Sequence, residues 1–298
     1  MSSTDEAPPG QSVSQVTIEK AVSADFDRVY PLLLDFNLPA TTRDDWALLF
    51  ANNWKSPEDF CGYLLLDGGE VSGFLGLLFS TRTIDGKLER FCNMTSWIVR
   101  EPYRPQSLRL LFEALKLKDL TITNFTPSTT VAAILRKVGF TELKNSQRLL
   151  FPNPVAAISS SRYRCTFELD AIRQPLNEND RTIFDDHRNL PCRHVLVSSE
   201  KDYCYLVLKN RIHRHLPVAR VHYASNPAVL SDAIDSVRNK ICWKLKLAGL
   251  IVDDRYLGGV KLKFAAEYPQ QCPTFFRSRT VGEDDIDTLY SEMILLHD

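Results

Sequence analysis

Apolar and polar residues alternate from Val16 to Val22, the period of a strand with one buried face, and the chain is predicted to begin its structure there. Ser23-Ala24-Asp25 then stand as a cap before Phe26, Val29, Tyr30, Leu32 and Leu33, which share one face of a helix; Pro31 fits that helix poorly. A second helix is predicted over Thr41 to Asn53, with Trp46, Leu49 and Phe50 facing inward, ended by Ser56-Pro57. Tyr63 to Leu66, a turn at Asp67-Gly68-Gly69-Glu70 and Val71 to Phe79 read as a hairpin, and Asp85-Gly86 turns into a long strand, Leu88 to Val99. Gln106 to Leu117 is amphipathic at helical spacing, Leu120 to Asn124 is a short strand, Ser128 to Lys137 is a helix stopped by Gly139, and Gln147 to Phe151 closes the half as a strand.

Phe151-Pro-Asn-Pro, followed by a run of small residues, resists regular structure and marks a linker at 153–161. Beyond it come a strand from Tyr163 to Leu169, a charged helix from Asn177 to Leu190, strands at Tyr203 to Leu208 and Val218 to Tyr223, and a long helix from Ala228 to Leu247. A strand from Gly249 to Val252, a Phe-rich segment at Phe275-Phe276 and a last element from Asp285 to Leu296 complete the chain. The coarse order of the first half recurs. The expected fold class is therefore α/β in the α+β sense, a mixed and mainly antiparallel sheet flanked by helices, in two tandem domains at 16–152 and 162–298 behind a flexible start at 1–15.

Composition narrows the function classes. The chain has 298 residues, and its 44% apolar content suffices for large cores. Lys and Arg number 36 against 37 Asp and Glu, so no global charge excess points to nucleic acid or an anionic surface. Seven cysteines are scattered without a C-x-x-C pair, which reads as reduced thiols and no metal site. No secretory signal opens the chain and no apolar run reaches the roughly 20 residues of a membrane helix. A cytoplasmic protein is expected, with a homo-oligomer left open.

Two stretches carry a resemblance. Val99-Arg-Glu-Pro-Tyr-Arg-Pro-Gln-Ser-Leu-Arg109, followed by an apolar helix, resembles the strand, phosphate loop and helix of the GNAT superfamily of CoA-dependent N-acyltransferases, with Arg104 in the loop's first position. Thr126 to Phe140 resembles that family's Asn-x-x-Ala…Leu-Tyr-x-Lys-x-Gly-Phe helix, with Lys137, Gly139 and Phe140 in place. Departures accompany the match: Ser107 and Arg109 stand at glycine-like positions, Pro105 lacks an amide donor, and Leu135 stands where the family has a tyrosine acid.

The resemblance implies an acetyl-CoA or other acyl-CoA co-substrate and a small-molecule or peptide acceptor, an amine or hydroxyl. It implies that Arg104, Pro105, Gln106, Ser107, Leu108 and Arg109 hold the pyrophosphate at a helix start. Trp97, Ile98 and Val99 would hold the pantetheine arm, and an amide near Ile98 would act as oxyanion donor. Ser128, Tyr103 and Ser96 are the candidate catalytic side chains, and Ser128 also borders the expected pocket with Trp97, Ile98 and Arg104. No carboxylate lies between Arg90 and Arg100 to act as base. A non-catalytic binding protein on the same fold, and an acyltransferase served by an acyl carrier protein, remain alternatives.

Other clusters read as structure. His213 and His215 sit in a loop without ligand spacing, and Asp253-Asp254-Arg255 reads as a turn with a local ion pair. Asn226-Pro227 reads as a helix start, and Arg238, Lys240, Lys244 and Lys246 as solvated positions on their helix. His222, Tyr223 and Ser225 either line the acceptor side or pack within the second half.

Overall fold

The computed structural model describes residues 16–144, 146–156 and 162–297; the expected flexible start and residues 157–161 of the predicted linker lie outside the described residues. Strand β1 (Val16–Ala21) leads to helix α1 (Phe26–Leu33), which holds Pro31 within it, and to α2 (Arg43–Ala47), capped by Thr42. The second predicted helix is thus one short helix and a 3₁₀ turn, Leu48–Phe50. Strands β2 (Gly62–Asp67), β3 (Glu70–Ile84) and β4 (Lys87–Val99) form a meander. Then come α3 (Ser107–Leu115), β5 (Thr121–Asn124), α4 (Thr129–Lys137), β6 (Thr141–Leu143) and β7 (Gln147–Leu150).

The second half repeats the series. It runs β8 (Arg164–Thr166), α5 (Leu169–Arg173), α6 (Glu178–His187), β9 (Arg193–Ser198), β10 (Tyr203–His213), β11 (Leu216–Ala224), α7 (Pro227–Leu245) and β12 (Gly249–Asp253). Strands β13 (Ala265–Tyr268) and β14 (Thr274–Arg277) and a one-turn helix α8 (Glu292–Leu295) end it. Arg214 and His215, at φ 47° and 66°, make the two-residue turn between β10 and β11, the left-handed geometry that suits a tight hairpin.

The strands form two seven-stranded sheets, ordered β1-β2-β3-β4-β5-β14-β6 and β8-β9-β10-β11-β12-β7-β13. Numbered within each unit the two orders are identical. Each half, however, lends one strand to the other's sheet. Gln147 to Phe151, expected to close the first sheet, instead pairs with β12 and β13 in the second, and the Phe-rich β14 inserts between β5 and β6 in the first. Sheet membership therefore crosses the predicted boundary at 152. Strands of four residues with two apolar side chains each, Leu149 and Leu150 or Phe275 and Phe276, are too short to mark which sheet they join, because either sheet can bury that pair.

Three layers of core follow. One lies outside the first sheet under α3 and α4, with Leu75, Leu77, Leu110, Leu111 and Leu135. Another lies outside the second sheet under α7. The third lies between the units, where Phe50 and Phe74 of the first meet Phe184, Tyr205 and Val207 of the second, with Leu289 and Leu295 from the C-terminal segment. Arg238, expected in solvent, is fully buried against Asp235 and the carbonyl of Lys263 (2.8 Å), because the loop before β13 folds back over α7.

The central core also holds histidines. His194 accepts or donates at Tyr205 Oη (2.7 Å), and burial pushes its pKa down to about 4; burial likewise lowers His187, and holds His222 well below the ordinary imidazole value. Since the unfolded chain takes up these protons near pH 6.5 and the folded chain does not, their contribution is complete above that pH and is lost as pH falls toward about 4. Denaturant titrations should show stability declining across that window by on the order of 3 kcal/mol for His194 alone. The slope should flatten in His194→Gln.

Candidate active site

The first sheet splays where β4 outruns β5. The two pair in parallel only at Phe91–Asn93 against Thr121–Thr123, and β4 then continues to Val99 with its neighbour gone. On its other side β4 carries a bulge: Phe74 faces Ile98 and Gly76 faces Thr95, so Leu75 stands opposite both Ser96 and Trp97. Ser96 takes φ 48°, a left-handed backbone outside the pleat. Glycine on β3 permits this approach. A Cβ at Gly76 would stand 3.0 Å from Thr95 Cγ2, and one at Gly73 2.8 Å from Val99 Cγ2.

Side chains divide across the fork. Trp97 and Val99 pack toward α3 and α4, whereas Ile98 packs toward the central core between the units. At the base of the fork, on the central side, the buried Glu292 of α8 accepts hydrogen bonds from Asn93 Nδ2 on β4 and from Thr126 Oγ1 just beyond β5 (2.6 Å). Thr123 Oγ1 donates to Asn93 Oδ1 at 3.1 Å, and Asn124 Nδ2 donates to the Met94 carbonyl at 3.0 Å. A carboxylate thus joins the two arms of the fork.

The predicted phosphate loop is a 3₁₀ turn over Glu101–Gln106 leading into α3. Its amides are partly committed: Tyr103 N donates to the Arg100 carbonyl and Ser107 N to that of Arg104, and Pro105 has none. Arg104, Pro105, Leu108 and Arg109 are exposed, and Gln106 and Ser107 half-buried. Arg104 pairs loosely with Glu101 (3.5 Å), and Arg109 donates to the Val16 carbonyl (3.1 Å) and to Gln106 Oε1 (3.3 Å).

The three candidate hydroxyls have different partners. Tyr103 donates to the Asp67 carboxylate, which raises its pKa and keeps it protonated. Ser128 caps α4 by accepting from Val131 N (3.3 Å), and Ser96 Oγ lies 3.3 Å from Thr95 Oγ1. The first two are therefore already engaged.

The second sheet has a matching fork, since β11 pairs with β12 only at Val218–Arg220 and bulges at His222. It is filled. His222 is buried with Nδ1 2.7 Å from Thr288 Oγ1, Tyr223 donates to Asp180 (3.0 Å), and Ser225 accepts from Tyr205 N (2.8 Å). Only Ser225 and Asn226 separate β11 from α7, and Asn226 caps that helix with Pro227 at its first position. The turn found at 101–106 has no counterpart here.

Glu292 escaped the sequence reading because no local pattern points to it. It lies 199 positions from Asn93, on a helix of one turn. The available signal was negative, the lack of any carboxylate on β4 between Arg90 and Arg100.

A doubled sheet of this order, with its splayed and bulged fourth strand, is the GCN5-related N-acetyltransferase fold taken twice. Similar solved structures include a GCN5-related N-acetyltransferase from Anabaena variabilis, at TM-score 0.58 and 11% identity over 88% of this chain and 72% of that one. A probable N-acyltransferase from Enterococcus faecalis gives 0.59 and 11% over 89% and 73%, and a putative acetyltransferase from Pyrococcus horikoshii 0.51 and 12% over 93% and 94%. No protein-family model and no curated protein matches the sequence. At these identities the likeness establishes the fold.

Proposed function

We propose that the chain transfers an acyl group from an acyl-CoA thioester to an amine or hydroxyl acceptor, with the chemistry in the fork of the first sheet. The observation that carries this reading is the conjunction, at one place, of the opening between β4 and β5, the bulge at Ser96 and a buried carboxylate at its base. The thioester lies along the β4 edge from Trp97 to Val99, with Arg104 and Arg109 near the pyrophosphate. An amide of the bulged segment faces the oxygen that gains charge. The acceptor comes from the central side, its nitrogen or oxygen bonds to the acyl carbon, and the carbon–sulfur bond breaks. Glu292 takes the acceptor's proton, directly or through water, and the thiolate is protonated on release.

Calorimetry with acetyl-CoA and longer acyl-CoAs tests the reading. Saturable binding in the micromolar range, lost on Trp97→Ala but retained in His222→Ala, is expected; no heat at millimolar ligand overturns it. The committed amides of Tyr103 and Ser107 favour one second reading, a donor presented on an acyl carrier protein, for which a tight pyrophosphate cradle is dispensable. Turnover with an acyl carrier thioester and none with acyl-CoA would select it.

A further inference from the structure

The far side of the second unit, away from both forks, carries a surface that acyl transfer does not use. Three segments meet there. The C-terminal part of α7 runs Lys240-Ile-Cys-Trp-Lys-Leu-Lys-Leu247, the loop before β13 runs Val260-Lys-Leu-Lys-Phe264, and the chain leaving β7 runs Phe151-Pro-Asn-Pro-Val155. Hydrogen bonds hold them together: Asn153 N donates to Asn239 Oδ1 (2.6 Å), Arg238 to the Lys263 carbonyl (2.8 Å), and Phe151 N to the Phe264 carbonyl (2.9 Å). Trp243 and Leu247 face Pro152 and Pro154 across an open apolar groove.

Two properties of this surface are unusual together. Its apolar tips protrude, with Trp243 at 88% exposure, Val155 at 61% and Phe264 at 48%, beyond what a monomer's scattered surface residues require. Its charge is mainly of one sign: Lys240, Lys244, Lys246, Lys261 and Lys263 are exposed, none of the three segments contains a carboxylate, and the neighbouring Asp235 is taken up by Arg238 and Asn153. In a chain whose charges balance overall, this is a local basic patch studded with apolar side chains.

We propose that this face docks on an anionic lipid surface. An indole and aliphatic tips entering the headgroup boundary, ringed by lysines attracted to lipid phosphates and carboxylates, is the arrangement such adsorption needs. A nucleic acid fits less well, because one aromatic ring among aliphatic tips offers no stacking platform. An acidic protein partner would be expected to leave some polar pairing groups in the centre rather than Val155, Trp243 and Phe264.

The test uses the full chain with vesicles of phosphatidylcholine alone or mixed with phosphatidylserine. Co-sedimentation with the mixed vesicles only, weakened by raised salt, is expected. Lys244→Glu should weaken it roughly ten-fold or more, since removing each lysine near the surface costs about five-fold. Fluorescence gives an independent readout, because Trp46 and Trp54 are buried, Trp97 is half-buried, and Trp243 is 88% exposed. Iodide should quench the free protein mainly through Trp243 and lose that access on anionic vesicles; Trp243→Ser should remove most of the quenching and all of its vesicle dependence without changing thermal stability. Equal binding to neutral vesicles, no binding to either, or binding unchanged in the Trp243→Ser, Lys244→Glu double variant would overturn the proposal. So would a patch-dependent self-association or nucleic-acid binding in place of vesicle binding.

Discussion

Glu292→Gln is expected to lower kcat for acyl transfer by about 10²–10⁴-fold, the usual contribution of a positioned base, with little change in acyl-CoA affinity. The amide keeps the size of the side chain and an oxygen to accept from Thr126, and its NH2 group is accommodated if the Asn93 amide turns over to accept from it and to donate to Thr123, so the fork should retain its shape. A merely structural carboxylate would give a different pattern. Loss of binding and of kcat together, with a lowered melting temperature, would mean that Glu292 braces the fork, whereas an unchanged kcat would remove it from the reaction. A base further predicts that Glu292→Asp, whose carboxylate is one methylene short, recovers part of the rate.

The second large effect concerns the anchor of the segment that delivers this carboxylate. Arg82 on β3 forms an ion pair with Asp287 in which both side chains are 8% exposed, and its guanidinium lies 5.2 Å from the Phe91 ring centre and 5.5 Å from that of Tyr290. Asp287→Ala leaves a buried cation without its partner, which costs about 3–5 kcal/mol. A fall in melting temperature on the order of 10 °C follows from that range. The double change Arg82→Met, Asp287→Leu should recover most of the stability, since apolar residues of similar size fill such sites well. If the single variant melts like the parent, the pair is not what holds the C-terminal segment against the first sheet.

Activity should report the same anchor. Thr288, which bonds His222 at the second fork, and Glu292, which spans the first, both follow Asp287 within five residues. Loosening that attachment therefore displaces the proposed base as well as a buried contact. The expected signature in Asp287→Ala is a kcat loss that shrinks on cooling, as the segment reseats.

The sequence by itself determined most of the secondary structure and the class of fold. Alternation named β1, the turns at Asp67–Glu70 and Asp85-Gly86 set off β3 and β4, helical spacing named α3, and the capping and stop signals around Ser128 and Gly139 bounded α4. Those signals are local, set by which face of an element is buried, and a single chain displays them. Length did not follow as well: the helix predicted from Thr41 to Asn53 shrank to α2 and a turn, because its inward residues Trp46, Leu49 and Phe50 are buried equally well by either form.

Tertiary structure alone decided which sheet each short strand enters and what fills each fork. β7 and β14 changed places between the halves, since a four-residue strand with one apolar pair is satisfied wherever two edges accept it, and only packing of the whole chain fixes the choice. The same long-range packing brings Glu292 to Asn93, buries Arg238 under a returning loop, and gathers five lysines with Trp243 from segments that look unremarkable one at a time. Charge, burial and proton affinity at a site depend on neighbours distant in sequence, and those neighbours are chosen by the fold.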